Sequence, residues 1–359
     1  MGVTRRTFLE TVGIGAGAVV LHRLVGANRP AHTGERRFVF AQLAGGWDTL
    51  MSLDPRDPET FTEARVGRTG IELAWDRLAP HAPTTLVRAA GSPIVLGPMA
   101  AEFARHCDKA CIVNGITVAG EDHYAAMRAF APPTGALLSA QGVQTALPHL
   151  ASGVDVANAT LCVNGVDELE QTDARFRPDT DLTRRYRIRH ASAGEAQAAM
   201  ALVALRHDVA QCVSIQLATG LDTHGPEWAT VQPRRQLEAF RTLALLVDDL
   251  EREGALARTT IVVYSEFGRA ARLNARGGRD HGVHASALLI GAGVPHNRVV
   301  GATSDAGGLR PLRVDRRSGR PMRRGGLTLT PPRLWASVLA SAGVPHRALE
   351  VEPLPCLMG

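Results

Sequence analysis

The chain has 359 residues, 45% of them hydrophobic and 21% charged. That is the balance of a globular protein with enough chain for a sizeable core, and it excludes disordered, collagen-like and disulfide-scaffold classes. The net charge of +5, from 40 basic and 35 acidic residues with Lys109 the only lysine, is too mild an excess for a nucleic-acid binder.

In chain order, residues 1–27 read as an export signal. Arg5-Arg6-Thr7-Phe8-Leu9 opens a short, weakly apolar, glycine-rich stretch that ends near Val25-Gly26-Ala27, a small-residue cleavage site. Gly13, Gly15 and Gly17 follow no strand, so they are not a dinucleotide loop. Such adjacent arginines mark the twin-arginine route to the periplasm or beyond, with membrane contact only through this signal if it stays uncleaved. That route carries folded proteins, which raises the expectation of a bound metal or cofactor.

Residues 28–359 read as one α/β domain, a mainly parallel sheet with helices on both faces. Apolar runs at Phe38–Leu43, Cys111–Asn114, Thr160–Val163, Val213–Leu217, Thr260–Tyr264 and Ala287–Ile290 predict buried strands. Leu237, Phe240, Leu243, Val247 and Leu250 form one stripe and predict a helix over 235–253; a second is expected over 332–342. Residues 130–200 read as an insertion over the sheet, 307–324, rich in arginine and glycine, as a surface loop, and Arg316–Arg324 within it as a solvated segment with contact to an anionic polymer as the sharper alternative. The five scattered cysteines form no zinc motif; Cys107 and Cys111 are either a disulfide or two buried thiols.

Ligands of such sheets bind beyond the carboxyl ends of the strands. Four strand ends carry ionisable groups: Asp48 after the first strand, Asp222-Thr-His224 after Leu217, Ser265-Glu266-Phe267-Gly268-Arg269 after Tyr264, and Arg279-Asp280-His281 before Ala287. Converging carboxylates and imidazoles suit a divalent metal, zinc first, with manganese or calcium as alternatives. An arginine, Arg269 or Arg279, is then expected to hold the remaining oxygens of an anionic ester. The bland readings are a turn at Asp222, an ion pair of Glu266 with Arg269 or Arg272, Asp280 merely orienting His281, His284 as a loop histidine, and a capping Asp48.

The twin-arginine signal, Gly-Gly-Trp47-Asp48, Asp222-Thr-His224, Ser265-Glu266-Phe-Gly-Arg269 and Gly-Arg279-Asp280-His281 resemble, in their order, the bacterial secreted family known as domain of unknown function 1501, related to the alkaline phosphatase and sulfatase superfamily. Trp335–Val344 resembles that superfamily's closing helix. The resemblance implies an alkaline-phosphatase-like fold and a metal-dependent hydrolase of a phosphate or sulfate ester, small or on a glycan. It implies metal ligands at Asp48 after the first strand, at Asp222, His224 and His281 in one site and at Glu266 in a second, and Asp280 is counted among the metal residues with them. Two departures stand out. Glu266-Phe267 occupies the place of an Asp-His pair, and the nucleophile's position offers only Thr117, with His123 as acid or base if water attacks instead. The alternative function is a non-catalytic periplasmic binding or scaffold protein of the same fold.

Overall fold

The alternation of Arg37–Leu43 fixes two cores at once. Phe38 and Phe40 face one side of the first strand; Val39, Ala41 and Leu43 face the other, and all five are buried. A strand apolar on both faces must lie inside a covered sheet, and this one does. The chain is described by a computed structural model over residues 36–78, 82–118, 122–132, 149–151, 180–189, 193–206 and 212–359. The export signal, Cys162 and the strand expected at Thr160–Val163 lie outside the described residues.

The strands are β1 (Arg37–Leu43), β2 (Ala110–Thr117), β3 (His149–Ala151), β4 (Cys212–Ala218), β5 (Thr259–Tyr264), β6 (His284–Gly291) and β7 (Arg298–Gly301). The helices are α1 (His123–Ala129), α2 (Thr180–Tyr186), α3 (Gly194–Arg206), α4 (Trp228–Arg252) and α5 (Pro331–Ser341). The seven-stranded sheet runs in the order β3-β4-β1-β5-β6-β2-β7. Phe38 pairs with Cys212 on one side and Thr260 on the other, both in parallel register. β6 alone is antiparallel to its two neighbours, β5 and β2. The α/β class and the mainly parallel sheet expected from the apolar runs are therefore what the chain forms. The carboxyl ends of β1, β2, β4 and β5 share one edge with the amino end of β6.

One face of the sheet is covered by α3, α4 and the 3-10 segment Pro98–Lys109, the other by α1 and α5. On the second face Trp335 meets Phe40 edge-on at 5.6 Å and Tyr264 at 5.8 Å. Burying an aromatic of this size contributes about 1.5–3 kcal/mol. A satellite cluster built on Leu50, Met51, Leu73, Trp75, Met99 and Trp228 packs the loops.

Several expectations change. α4 starts at Trp228 rather than near residue 235, with Pro233 inside it; proline marks a helix start in sequence, but here it sits in an early turn where few bonds are lost. The described parts of 130–200 join the body of the domain. His149–Ala151 is the edge strand beside β4, and α3, apolar on every side, is buried along most of its length. The loop expected over 307–324 contains a short ladder in which Arg313–Val314 pairs antiparallel with Pro321–Met322. Cys107, Cys111, Cys212 and Cys356 are buried free thiols. No described helix is long and apolar enough to cross a membrane.

Candidate metal centre

The loop after β1 must pass against the loop after β4, and Gly45-Gly46 makes this possible. A Cβ on Gly45 would stand 2.6 Å from the backbone nitrogens of Leu221 and Asp222, and both glycines adopt positive φ, +109° and +81°. The gap-free contact lets the Arg269 guanidinium reach under both loops. It donates to the carbonyls of Gly45, Gly46, Leu221 and Arg279 and, at 2.8 Å, to Asp222 Oδ1. Arg269 is fully buried. Its donors hold the protein together and leave no fork for a substrate anion.

Asp222 Oδ1 is the focus of the site. His224 Nε2 lies 3.0 Å from it, His281 Nε2 3.2 Å and His123 Nε2 3.4 Å. The Nε2 atoms of His224 and His281 are themselves 3.0 Å apart. His123 Nε2 is buried and has no hydrogen-bond partner. His123, Asp222 and His281 form a cluster whose ligating atoms all lie within 4.8 Å of one another. Burial opposes ionisation of Asp222, but hydrogen bonds from Arg269 and His281 outweigh it and hold the carboxyl well below the usual carboxylate range. An ionised oxygen facing three imidazole nitrogens is a donor set that fits a divalent cation.

Two further carboxylates approach from outside. Glu266, wholly buried after β5, has Oε1 3.0 Å from His123 Nδ1 and accepts the Gly45 N–H at 2.8 Å; the Ser265 hydroxyl donates to its Oε2. This contact raises the His123 pKa, the hydrogen bond to Glu266 contributing most. Asp280 Oδ1 lies 2.8 Å from His224 Nδ1 and takes a bond from Asn274 Nδ2. Its own pKa is lowered, chiefly by the bond to His224. Both carboxylates therefore touch the far nitrogens of the imidazoles rather than the nitrogens that converge.

Phe267 packs its ring 4.3 Å from His281 and 4.7 Å from His123. His123 reaches the cluster from α1. Asp122 caps that helix by accepting the Ala125 N–H at 2.7 Å, which leaves His123 as its first residue.

The other expected residues stand apart. Asp48 is buried and already engaged: Oδ2 accepts from Trp228 Nε1 at 2.8 Å and faces Arg279 Nε at 3.0 Å, while Oδ1 caps the turn at Leu50. Both of its oxygens are thus occupied where Trp228 and Arg279 bury it. Arg279 stacks over Trp228 at 4.8 Å and donates to the carbonyls of Ala270, Glu72 and Leu73. It too leaves nothing for an anion. Thr117 pairs with His284 across β2 and β6, and among the described residues no hydrogen bond links its hydroxyl to the cluster. His284 is a buried strand residue rather than a loop histidine.

Two residues were hidden from sequence reasoning. Gln232, buried in α4, accepts the Asp48 N–H and donates to the Gly46 and Leu221 carbonyls, tying together both site loops. Its signal was faint: Gln232 and Gln236, one turn apart, interrupt the buried side of the helix. Arg276 reaches Asp280 at 3.3 Å from a largely exposed position and is the arginine at the rim of the cluster.

A family model described as "Protein of unknown function (DUF1501)" matches residues 167–315, the segment carrying Asp222, His224, Glu266, Asp280 and His281. The family resemblance drawn from these motifs is borne out there. No curated protein matches the sequence. Among solved structures, the chain is similar to a protein in the alkaline phosphatase superfamily from Vibrio parahaemolyticus, with 10% identity, 85% of this chain and 73% of that one covered, and a TM-score of 0.39. It is also similar to the lipoteichoic acid synthase LtaP from Listeria monocytogenes, with 8% identity, 79% and 74% covered, and a TM-score of 0.37. A third is the C-terminal periplasmic domain of EptC from Escherichia coli, in complex with zinc, with 8% identity, 73% and 75% covered, and a TM-score of 0.38.

Proposed function

We propose that His123, Asp222, His224 and His281 hold one divalent cation, zinc by preference, and that the chain is an exported hydrolase of a phosphate or sulfate ester. The observation that carries this reading is the convergence of three Nε2 atoms on Asp222 Oδ1, one of them buried without a hydrogen-bond partner. A bound cation supplies Lewis-acid polarisation of a phosphoryl or sulfuryl oxygen.

The surrounding residues have distinct tasks in this reading. Glu266 holds the proton on His123 Nδ1 and Asp280 that on His224 Nδ1, so both Nε2 lone pairs face inward. Arg269 keeps Asp222 ionised and in place. Arg276, at the rim, orients the anionic part of the substrate in the role first expected of Arg269 or Arg279. The substrate is an anionic ester, small or on a glycan. Nucleic acid is not proposed as a partner, and the membrane is met only through the N-terminal signal if that signal is retained.

The test is hydrolysis of p-nitrophenyl phosphate and p-nitrophenyl sulfate by protein loaded with zinc, manganese or calcium. Activity lost in Asp222→Ala and His281→Ala supports the hydrolase. A second reading, a binding scaffold of the same fold, draws on the two buried, fully engaged arginines and on Thr117 lying outside the hydrogen bonds of the cluster. Stoichiometric metal without turnover of either ester class would favour it.

A further inference from the structure

We propose that the arginine hairpin of residues 310–324 is a docking surface for a linear polyanion, specifically a sulfated or phosphorylated polysaccharide. Seven arginines lie between Leu309 and Gly325, with Asp315 the only acid among them, and all seven are exposed. Asp315 is turned to local use. Its Oδ1 accepts the N–H groups of Arg317 and Ser318 and the Ser318 hydroxyl, closing the turn.

The backbone that carries these charges is fixed. Arg313–Val314 pairs with Pro321–Met322, Val314 and Leu327 exchange two 2.8 Å hydrogen bonds, and Gly319 accepts the Gly301 N–H at 2.8 Å. The last contact fastens the hairpin along β7, so its main chain already shields that edge of the sheet. The guanidinium groups are not needed for that purpose. Nor are they neutralised. Arg316 faces Glu352 at 3.7 Å and Arg313 donates to the Gly326 carbonyl. The other five, Arg310, Arg317, Arg320, Arg323 and Arg324, have no ion pair among the described residues.

Guanidinium forks on a rigid ladder suit repeated sulfate or phosphate groups, which they grip bidentately. The composition narrows the partner. No Phe, Tyr or Trp occurs between Phe267 and Trp335, so nothing here stacks on exposed bases. The hairpin offers Met322 as its one large exposed apolar side chain, set among glycine and proline, which is little to insert into a lipid surface. A charged polysaccharide needs neither feature.

The full chain is titrated calorimetrically with heparin and dextran sulfate, and in parallel with duplex DNA and anionic phospholipid vesicles. Two quadruple variants are compared: Arg317→Ser, Arg320→Ser, Arg323→Ser and Arg324→Ser on the hairpin, and Arg65→Ser, Arg68→Ser, Arg77→Ser and Arg184→Ser as an equal charge change elsewhere. The expected result is polysaccharide binding weakened more than about tenfold by the hairpin variant, with a shallower salt dependence, and less than about twofold by the control. Equal losses in both variants, no binding by the wild type, or DNA or vesicles binding as tightly as the polysaccharides would overturn the proposal. The same four hairpin positions changed to lysine keep the charge and remove the forks, so full binding by that variant also contradicts it.

Discussion

Asp222 Oδ1 is shared by a buried arginine and three histidines, and each neighbour makes a different demand on it. If the imidazoles are ligands, the carboxylates on their far nitrogens govern affinity without touching the ion. Glu266→Gln is accordingly expected to weaken zinc binding about ten- to hundredfold in a calorimetric titration while leaving a site that still forms. In metal-free protein the His123–Glu266 contact also has a pH signature. The folded pKa of His123 is raised, so its contribution to stability is fully present below the unfolded value near 6.5 and is lost as pH rises through the folded value. His123→Gln should therefore cost more stability in mild acid than in alkali, as read from denaturant midpoints. A loss independent of pH would mean that the pair is not formed. At this scale the sequence disclosed residue types better than roles. Asp222, His224 and His281 stand out because strand ends present them together, whereas nothing in the chain says that Glu266 will face Nδ1 of a histidine 143 positions earlier.

The elements decide whether those residues can meet. The Gly45–Asp222 approach is the tightest constraint, and Gly45→Ala is predicted to destabilise the fold by at least about 1–3 kcal/mol and to abolish cation binding. Chemical denaturation and metal titration of the same variant check both outcomes; wild-type binding would show that the loops need no such contact. Gln232→Leu leaves the buried Asp48 N–H without its partner and removes one of the donors to the Gly46 and Leu221 carbonyls, which Arg269 still serves, and should cost about 1–3 kcal/mol. β1, β4 and β5 were legible within a residue because continuous apolar runs flanked by glycine leave few alternatives. α3 was not legible, since a helix buried all round has no polar face to mark its period. Pro233 hid the first turns of α4 for the same kind of reason: a local rule yielded to tertiary packing.

For the whole molecule, periodicity reports which strands are buried and is silent on direction, so the antiparallel β6 could only be found in the structure. That reversal matters, because it brings His281, ahead of β6, to the same edge as the carboxyl ends of β1, β4 and β5. It also buries His284, the first residue of β6. Burial pushes its imidazole down to about 4, against the opposing pull of Asp54 and Asp48. The unfolded chain binds this proton below about pH 6.5 and the folded chain only near 4, so stability is lost as pH falls through that window, by up to about 3 kcal/mol. A His284→Asn variant should show a flatter acid limb in urea midpoints against pH; an unchanged limb would assign acid sensitivity to other groups. Whether strand ends scattered along the chain assemble a cation site is decided by elemental analysis of the purified full chain beside Asp222→Ala and His281→Ala. Close to one zinc, manganese or calcium ion per chain is expected, absent from both variants while they remain folded. A wild-type protein without metal after reloading, or variants that keep it, would overturn the site.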